Sequence, residues 1–364
     1  MLEQADGGGL LATVRVPLAA AEAPQPMLFP LKPPSGHGQR AWSGPFWGGD
    51  LQCPATPGAV YRTLSPMKWV ILAIFALSAL YVHFRGQVRH RFFRQLSDHS
   101  TFLAPLNVFM YLFSKVPGTP YLSPAQFPEM RVLEENWEVI REEALAMRNG
   151  GSIKASSQFN DVGFNSFFKS GWKRFYLKWY DEAHPSAAIL CPRTTELLKG
   201  IGTIKAAMFA ELPPGSRLVR HRDPFAGSLR YHLGLWTPGV EGCYIDVDGQ
   251  RYHWRDGEAV VFDETFIHYA ENTTDHDRVI LFCDIERPLK YRWASAVNRW
   301  FAKNLLAAAS SPNDAGDKTG GINRAFKYIY QIRVIGKRLK AWDKRAYYLV
   351  KWSIFGGLAL WIFW

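Results

Sequence analysis

The stretch "CYIDVDGQRYHW", residues 243–254, decides the fold class of this chain. Two short runs of β-branched and aromatic residues with a period of two flank Asp248-Gly249, and Asp-Gly is a dipeptide that favours a two-residue β-hairpin. Further short runs of the same kind lie on both sides: "IKAAMFAEL", "SRLVRH", "SLRYHLGL", "EAVVFD" and "RVILFCDI". Seven short strands with tight turns and little helix between them predict a mainly β domain, a sandwich or barrel, and not a βαβ fold.

The chain has 364 residues, 48% of them hydrophobic, and a net charge of +11. It is long enough for one large domain or two modest ones and too apolar to be disordered throughout. The excess positive charge favours an anionic partner, either nucleic acid or a membrane surface. Because the basic residues concentrate beside two apolar segments, we expect a membrane and no nucleic acid. The four cysteines lack disulfide-like or CxxC spacing, so Cys243 and Cys283 are expected to be reduced and buried.

The N-terminal part of the chain changes character at Met67. Residues 1–66 are predicted to be a disordered extension, because 19 of them are Pro or Gly and no helical or strand period persists. Whether this extension is present in the mature protein is left open. Residues 67–95 contain an apolar run followed by four arginines. They are predicted to be a membrane anchor whose basic end stays in the cytoplasm, with a buried helix or a cleaved signal as the alternative.

The other end of the chain mirrors this arrangement. Residues 347–364 are predicted to be a hydrophobic membrane segment, preceded in residues 293–346 by a linker and basic amphipathic helices. Because both basic flanks face the middle of the chain, the positive-inside rule places residues 120–292 in the cytoplasm. Whether the C-terminal segment crosses the bilayer is left open. Within the central part, one amphipathic helix that ends at Gly150 is predicted by the 3/4 spacing of Leu133, Trp137, Ile140, Ala144 and Met147.

The stretch "HRDPFAGSLRYHLGL", residues 221–235, carries more titratable side chains than a strand region needs. Residues i and i+2 of a strand point the same way, so His221 and Asp223 present an imidazole and a carboxylate side by side. His268 follows another strand 47 residues later and is a candidate third ligand. Two histidines and one carboxylate with open positions are typical of non-haem Fe(II) sites that activate oxygen. A chance surface pair of His221 and Asp223 is the alternative.

Basic side chains accompany this candidate metal site. In "SLRYHLGL", Arg230 and His232 share the face opposite the leucines, which is either exposed to solvent or turned toward the site. Arg278 opens the apolar strand "RVILFCDI". Arginine stays protonated when partly buried and pairs with carboxylates in bidentate fashion. A metal triad with arginine nearby therefore predicts an anionic ligand, most simply a dicarboxylate.

Four blocks, "HRDPF", "LRYHLGL", "WRDGEAVVFDETFIHYAEN" and "RVILFCDIERP", resemble in the same order the aspartyl/asparaginyl β-hydroxylase family of Fe(II)- and 2-oxoglutarate-dependent dioxygenases. Within that family the resemblance is greatest to the bacterial lipid A 2-hydroxylases, and it extends over residues 67–364. It implies a double-stranded β-helix, or jelly roll, with flanking helices and the metal at its open mouth. It implies Fe(II), 2-oxoglutarate and O2 as cofactors, with metal ligands His221, Asp223 and His268 and co-substrate-binding residues Arg278, Arg230 and His232.

The activity that the resemblance implies is hydroxylation of carbon 2 of a secondary acyl chain of lipid A, at the cytoplasmic face of the inner membrane of a Gram-negative bacterium. Lys173, Arg174 and Lys178 are candidates for contact with lipid phosphates, unless they form a solvated strand face. The animal peptide hydroxylases of the family lack the carboxylate that Asp223 would supply and have a serine where Ala210 is aligned. Hydroxylation of a peptidyl Asp or Asn, and a non-catalytic cupin-like membrane-bound protein, are the alternatives. The acyl chain that is modified and the oligomeric state are left open.

Overall fold

A computed structural model describes residues 66–155, 161–164, 166–180, 182–314 and 316–363. The extension predicted for residues 1–66 lies outside these ranges except for Pro66. The longer helices and the short ones between them are α1 (Pro66–Phe84), α2 (Phe92–Leu96), α3 (His99–Phe102), α4 (Ala104–Leu112), α5 (Arg131–Glu135), α6 (Trp137–Asn149), α7 (Pro185–Leu190), α8 (Pro192–Lys199), α9 (Arg292–Phe301), α10 (Gly321–Trp342) and α11 (Lys344–Phe363). The strands are β1 (Tyr121–Leu122), β2 (Lys173–Trp179), β3 (Glu182–Ala183), β4 (Ile204–Leu212), β5 (Ser228–Trp236), β6 (Cys243–Val247), β7 (Gln250–His253), β8 (Ala259–Phe262), β9 (His268–Asn272) and β10 (Arg278–Glu286).

Two antiparallel sheets form the centre of the protein. The larger sheet has the strand order β1-β8-β5-β10-β4-β2-β3 and the smaller one the order β7-β6-β9. An extended segment, residues 216–221, runs beside β9, with bridges from Arg217 to Glu271 and from His221 to His268. With that segment counted, the chain from β4 to β10 places four segments in each sheet, the arrangement of a jelly roll. The predicted jelly roll is therefore present, although "SRLVRH" pairs through isolated bridges and is not a regular strand.

The hairpin predicted in residues 243–254 is confirmed. β6 and β7 pair as far as Val247 and Gln250, which leaves Asp248 and Gly249 as a two-residue loop. The two loop residues have φ angles of 54° and 86°, the positive values that a type I′ turn requires. The buried Asp248 carboxylate also accepts hydrogen bonds from the N–H groups of Gln87 and Val88, at 3.0 and 2.8 Å. The hairpin is thereby joined to the segment that follows α1.

Apolar layers cover both faces of the larger sheet. One layer fills the space between the two sheets, and the other packs the outer face of the larger sheet against α5 to α8. Leu229 and Leu233 of β5 belong to the outer layer. The opposite face of β5 turns inward, where Arg230 and His232 are 6% and 4% exposed. The solvent-exposed alternative for that face is therefore wrong. Cys243 and Cys283 are buried free thiols, as expected.

The single helix predicted for residues 133–147 is divided in two. α5 and α6 are separated by Asn136, whose backbone has φ −113° and ψ 20°. The Asn136 side-chain amide donates to the Val132 carbonyl at 2.8 Å, a local bond that competes with continuation of the helix. The apolar face continues across the break, because each of these side chains is buried: Leu133, Ile140, Ala144 and Met147.

Among the described residues, α1 is the one helix long and apolar enough to cross a membrane, with a mean hydropathy of 1.8. It packs on α4. Arg85, directly after α1, donates to the Asp263 carboxylate and to Thr265 Oγ1, both at 2.6 Å. Asp263 is fully buried and also accepts from Arg287 at 2.8 Å. The end of α1 is thus fixed to the loop between β8 and β9.

The linker predicted within residues 293–346 corresponds to the polar stretch 311–321, which is folded onto the barrel in its described part. Asn313 pairs with β2, because its side chain accepts from Tyr176 N–H and donates to Tyr176 O, both at 2.8 Å. The Ser311 and Asp317 side chains are also buried. α10 and α11 follow this stretch. α11 has many exposed apolar side chains.

Candidate active site

Three ligand-type side chains converge between the two sheets. One ligand atom from each of His221, Asp223 and His268 lies within 4.8 Å of the others. His221 Nε2 is 3.6 Å from Asp223 Oδ1, and the two imidazole rings have centroids 4.2 Å apart. Within the described ranges, no other group of three His, Cys, Asp or Glu side chains comes together in this way. The structure therefore brings together the three residues that the sequence named as metal ligands.

Backbone pairing places the two histidines side by side. His221 N–H donates to His268 O at 3.0 Å, and His268 N–H donates to His221 O at 2.8 Å. This reciprocal pair joins the segment 216–221 to the start of β9, so residues far apart in sequence face the same space. Asp223 is held by a hydrogen bond from its N–H to Glu264 O at 2.9 Å. All three side chains are thus positioned by main-chain contacts of the jelly roll.

Backbone carbonyls also fix the orientation of both imidazoles. His221 Nδ1 lies 2.7 Å from Val219 O, and His268 Nδ1 lies 3.0 Å from Phe266 O. A carbonyl oxygen only accepts, so each Nδ1 carries the proton and each Nε2 keeps its lone pair. In histidine metal sites the second ring nitrogen ordinarily donates to a carboxylate, a backbone carbonyl or water, which fixes the ring orientation. Both histidines are therefore in the tautomer that binds a cation through Nε2.

The charges of the three side chains also suit a divalent cation. Burial lowers the pKa of His268 to about 3, and the neighbouring His221 adds to the effect. Burial also lowers the pKa of His221, against the opposite influence of Asp223. Burial opposes ionisation of Asp223, but Arg230 and the two imidazoles hold the pKa of that carboxyl below its ordinary value. At neutral pH the set is two neutral imidazoles and one carboxylate, the form that binds metal.

Arg230 is surrounded by protein carboxylates. Its Nη2 donates to Asp223 Oδ2 at 2.5 Å, its Nε donates to Glu264 Oε2 at 2.6 Å, and Nε lies 3.2 Å from Asp284 Oδ1. Burial opposes the charge of Arg230, yet the three carboxylates raise its pKa above the ordinary value. The sequence assigned Arg230 to co-substrate binding. In the structure its contacts orient Asp223, and the co-substrate role stays a prediction.

His232 and Arg278 meet at the indole of Trp254. The Trp254 Nε1–H donates to His232 Nδ1 at 3.4 Å, so His232 carries its proton on Nε2, which is buried without a protein partner. The Arg278 guanidinium lies 4.4 Å from the Trp254 ring centroid. Arg278 is 2% exposed, its Nε has no hydrogen-bond partner, and no described carboxylate forms an ion pair with it. Burial lowers the pKa of Arg278 to about 10, so it remains a buried cation at neutral pH.

One cavity is lined by all six residues that the sequence named. Its other walls are mainly apolar and include Phe164, Phe167 and Trp172 from the segment before β2. Sequence reasoning missed these aromatic residues, because they carry no titratable group and lie outside the strand motifs. The run "GFNSFFKSGW" is the one signal that could have pointed to them. The cavity thus has cationic and metal-binding groups within otherwise aromatic walls.

Two of the three basic residues of β2 that are candidates for contact with lipid phosphates pair with protein carboxylates. Arg174 is 2% exposed and forms an ion pair with Asp161 at 2.9 Å. Lys173 Nζ donates to Glu211 at 2.7 Å. For Arg174 both the lipid-phosphate expectation and the solvated-face alternative are wrong. The sequence pattern does not show that Asp161 supplies its counterion.

Comparison with known proteins places the chain among hydroxylases. Residues 134–288 match the aspartyl/asparaginyl β-hydroxylase family. The chain is 34% identical over 196 residues to the ornithine lipid ester-linked acyl 2-hydroxylase of Rhizobium tropici, covering 53% of this chain and 69% of that protein. The chain belongs to the aspartyl/asparaginyl β-hydroxylase family. As a member, this hydroxylase is a hydroxylating dioxygenase.

Other relatives share less of their length with this hydroxylase. The human aspartyl/asparaginyl β-hydroxylase is 28% identical over 190 residues, which covers 49% of this chain and 24% of that protein. The human aspartate β-hydroxylase domain-containing protein 2 is 31% identical over 189 residues, 49% of this chain and 50% of that protein. The match therefore covers half or less of each of these two human relatives.

Proposed function

We propose that this hydroxylase binds Fe(II) through His221, Asp223 and His268 and uses 2-oxoglutarate and O2 to hydroxylate carbon 2 of a lipid acyl chain. The observation that carries the proposal is one cavity that contains both a three-ligand set and Arg278, a buried guanidinium with no counterion among the described residues. Two imidazoles and one carboxylate with open positions suit Fe(II). A dicarboxylate that binds the metal at one end would neutralise the guanidinium at the other.

The proposal assigns separate roles to the metal ligands, to Arg278 and His232, and to the aromatic walls of the cavity. When bound, Fe(II) with 2-oxoglutarate supplies the oxidation that inserts one oxygen atom of O2 into a C–H bond and places the other in succinate, with release of CO2. Arg278 holds the far carboxylate of 2-oxoglutarate, and the His232 Nε2–H is a further donor toward it. Backbone carbonyls orient the two imidazoles, and Arg230 orients the Asp223 carboxylate. The three ligand atoms are thereby directed at one point before the metal binds. The aromatic walls exclude water and accept an apolar chain.

The lipid assignment is supported by the 34% identical relative, which is named as an acyl 2-hydroxylase of an ornithine lipid. It is also supported by α1, which by length and composition can cross a membrane and is fixed to the barrel through Arg85. We propose that the substrate is a secondary acyl chain of lipid A, at the cytoplasmic face of the inner membrane of a Gram-negative bacterium. α10 and α11 would lie on that membrane. The acyl chain of an ornithine lipid is the second candidate, favoured by the relative's substrate.

The deciding experiment is mass spectrometry of lipids from a Gram-negative host. Separate strains express the wild-type chain, the Asp223→Ala variant and the Asp275→Ala control. Asp275 is an exposed carboxylate outside the cavity. We expect lipid A with one added oxygen atom on a secondary acyl chain in the wild-type and control strains and not in the Asp223→Ala strain. An added oxygen in ornithine lipids alone would establish the second candidate. If neither lipid changes and a peptide stimulates succinate release, the lipid proposal is wrong.

A further inference from the structure

α9 turns an aromatic face toward the outside of the protein. Its inner face is fixed to the barrel, because Ala294 and Asn298 are buried and Asn298 Nδ2 donates to Gly227 O at 2.8 Å. Trp293 and Trp300 are seven positions apart and share one helical face, where they are 53% and 60% exposed. The helix therefore packs through Ala294, Asn298 and the partly buried Phe301, and it leaves two tryptophan rings largely in solvent. Large aromatic side chains on the outer face of a surface helix are unusual, because that face is ordinarily polar.

Neighbouring elements extend this aromatic face. The Trp293 ring has its centroid 4.9 Å from that of Phe113, and it stacks on Tyr291 with an interplanar angle of 11°. Tyr291 is 52% exposed, and Leu112, at the end of α4, is 66% exposed. These contacts hold the exposed rings in fixed positions. We call the set of Leu112, Tyr291, Trp293 and Trp300 the Trp293 surface.

Basic side chains border the Trp293 surface. Lys115, Lys290 and Arg292 are exposed. They lie close together because Lys290 N–H donates to Phe113 O at 2.8 Å and Lys115 N–H donates to Pro288 O at 2.9 Å. Leu112 and Lys115 belong to the segment 99–128, and Tyr291, Trp293 and Trp300 belong to the segment 287–313. Neither segment contains Asp or Glu. The segments that build the Trp293 surface therefore contribute positive charge only.

We infer that the Trp293 surface docks on the interfacial region of an anionic lipid bilayer. Tryptophan and tyrosine are enriched at the headgroup level of membranes, and lysine and arginine are attracted to anionic headgroups. α4, which supplies Leu112 and contacts Trp293, also packs on α1, the candidate spanning helix. The surface is thus continuous with the part of the chain that is proposed to enter the membrane. The inference rests on that proposed membrane location and adds a second, interfacial contact to it.

The docking surface and the candidate metal site are connected through α4 and α9. Phe225 and Ala226, which follow Asp223, pack against the buried side of these helices. Asn107 of α4 holds this segment, because it donates to Pro224 O and accepts from Ala226 N–H, both at 2.9 Å. Docking through the outer side of α4 and α9 would therefore hold the Asp223 side of the cavity at the bilayer. The distance between an acyl chain of the same bilayer and the cavity would then be short.

Site-specific fluorescence on the full-length protein tests this inference. In a Cys53→Ser background, single cysteines are introduced as Trp300→Cys, as Ile71→Cys in α1, and as Ile189→Cys in α7, a matched control that is 77% exposed. The other cysteines are buried and are not expected to label: Cys191, Cys243 and Cys283. Each protein carries an environment-sensitive fluorophore and is reconstituted in phosphatidylcholine vesicles with or without phosphatidylglycerol, with quenchers attached to the lipid.

We expect the emission of the label at position 300 to shift to shorter wavelength and to be quenched by the lipid-attached quenchers. Both effects should be stronger with phosphatidylglycerol. The emission of the label at position 189 should stay that of a solvent-exposed fluorophore. Lys290→Gln and Arg292→Gln should each lower the ratio of docked to undocked label about fivefold in the anionic vesicles. A quenched label at 71 with an unquenched label at 300 would overturn the inference and leave the membrane location intact. If neither position is quenched, the membrane location itself is wrong. A blue shift at 300 without quenching would identify a protein contact and overturn the inference.

Discussion

The Arg230 guanidinium donates to the Asp223 carboxylate at 2.5 Å and holds it beside His221, whose Nε2 is 3.6 Å from the other carboxylate oxygen. Glu264 and Asp284 in turn hold Arg230. Arg230 is not itself a ligand, but it fixes the orientation of the Asp223 carboxylate. Backbone carbonyls do the same for the two histidines. Every member of the candidate ligand set therefore has a protein group that orients it before a metal arrives.

Replacement of Arg230 tests this orienting role. Arg230→Lys keeps the positive charge but removes the planar guanidinium that contacts three carboxylates at once. We expect the affinity for Mn(II), used in place of Fe(II), to fall about 10- to 100-fold, the usual cost of losing an outer partner. Titration followed by electron paramagnetic resonance measures this affinity directly. Arg255→Lys, at an exposed ion pair, is the control. Unchanged Mn(II) affinity in Arg230→Lys would show that Asp223 needs no such partner.

Replacement of Arg278 separates co-substrate binding from metal binding. Arg278→Met removes the one buried guanidinium of the cavity that lacks a described counterion but leaves the three ligand residues untouched. We expect the affinity for 2-oxoglutarate in the Mn(II)-loaded protein to fall by more than about 100-fold, because two hydrogen bonds between charged groups are lost. The Mn(II) affinity should stay the same. Calorimetry measures both quantities, and Arg217→Met, at an exposed position, is the control. A loss of both affinities together would argue against the assigned role.

Some of these features could be predicted from the sequence and others could not. The hairpin at Asp248 was predictable because the turn needs positive φ and the sequence supplies Asp-Gly. Arg278 was predictable as a buried cation because it begins an apolar strand. The partners of Arg230 were not, because Glu264 and Asp284 lie 34 and 54 positions away and a buried polar network has no sequence period. The break at Asn136 was missed because the apolar 3/4 pattern continues across it.

The indole of Trp254 provides a test of the His232 tautomer. Trp254→Phe keeps an aromatic ring beneath Arg278 but removes the N–H that donates to His232 Nδ1. His232 would then be free to carry its proton on either nitrogen, so its donor toward the cavity is lost part of the time. We expect the affinity for 2-oxoglutarate to fall about fivefold, the effect of one neutral hydrogen bond. Mn(II) affinity should not change. A loss as large as that of Arg278→Met would mean that the ring of Trp254 itself holds Arg278 in place.

One buried carboxylate fixes Arg85, directly after α1, to the barrel. Asp263 is fully buried between Arg85 and Arg287, at 2.6 and 2.8 Å. Asp263→Asn would leave two buried guanidinium groups without their counterion, which costs about 3–5 kcal/mol of unfolding free energy. We expect a large fall in the thermal unfolding midpoint of the detergent-solubilised protein, measured by circular dichroism. Asp275→Asn, at an exposed carboxylate, should leave the midpoint unchanged. An unchanged midpoint in Asp263→Asn would mean that α1 is not held in this way.

The lowered pKa of His268 makes stability depend on pH with a definite sign. Burial lowers the pKa from 6.5 to about 3, so between these values the unfolded chain binds a proton at His268 that the folded chain does not. Stability therefore decreases as pH falls through this window, by about 1.4 kcal/mol per pH unit for this residue. His268→Gln removes this contribution. In the presence of a chelator, the unfolding free energy of the wild-type protein should fall more steeply on acidification than that of His268→Gln. Parallel curves for the wild-type protein and His268→Gln would show that His268 titrates in the folded protein as it does in the unfolded chain, and that it is not held neutral for a metal.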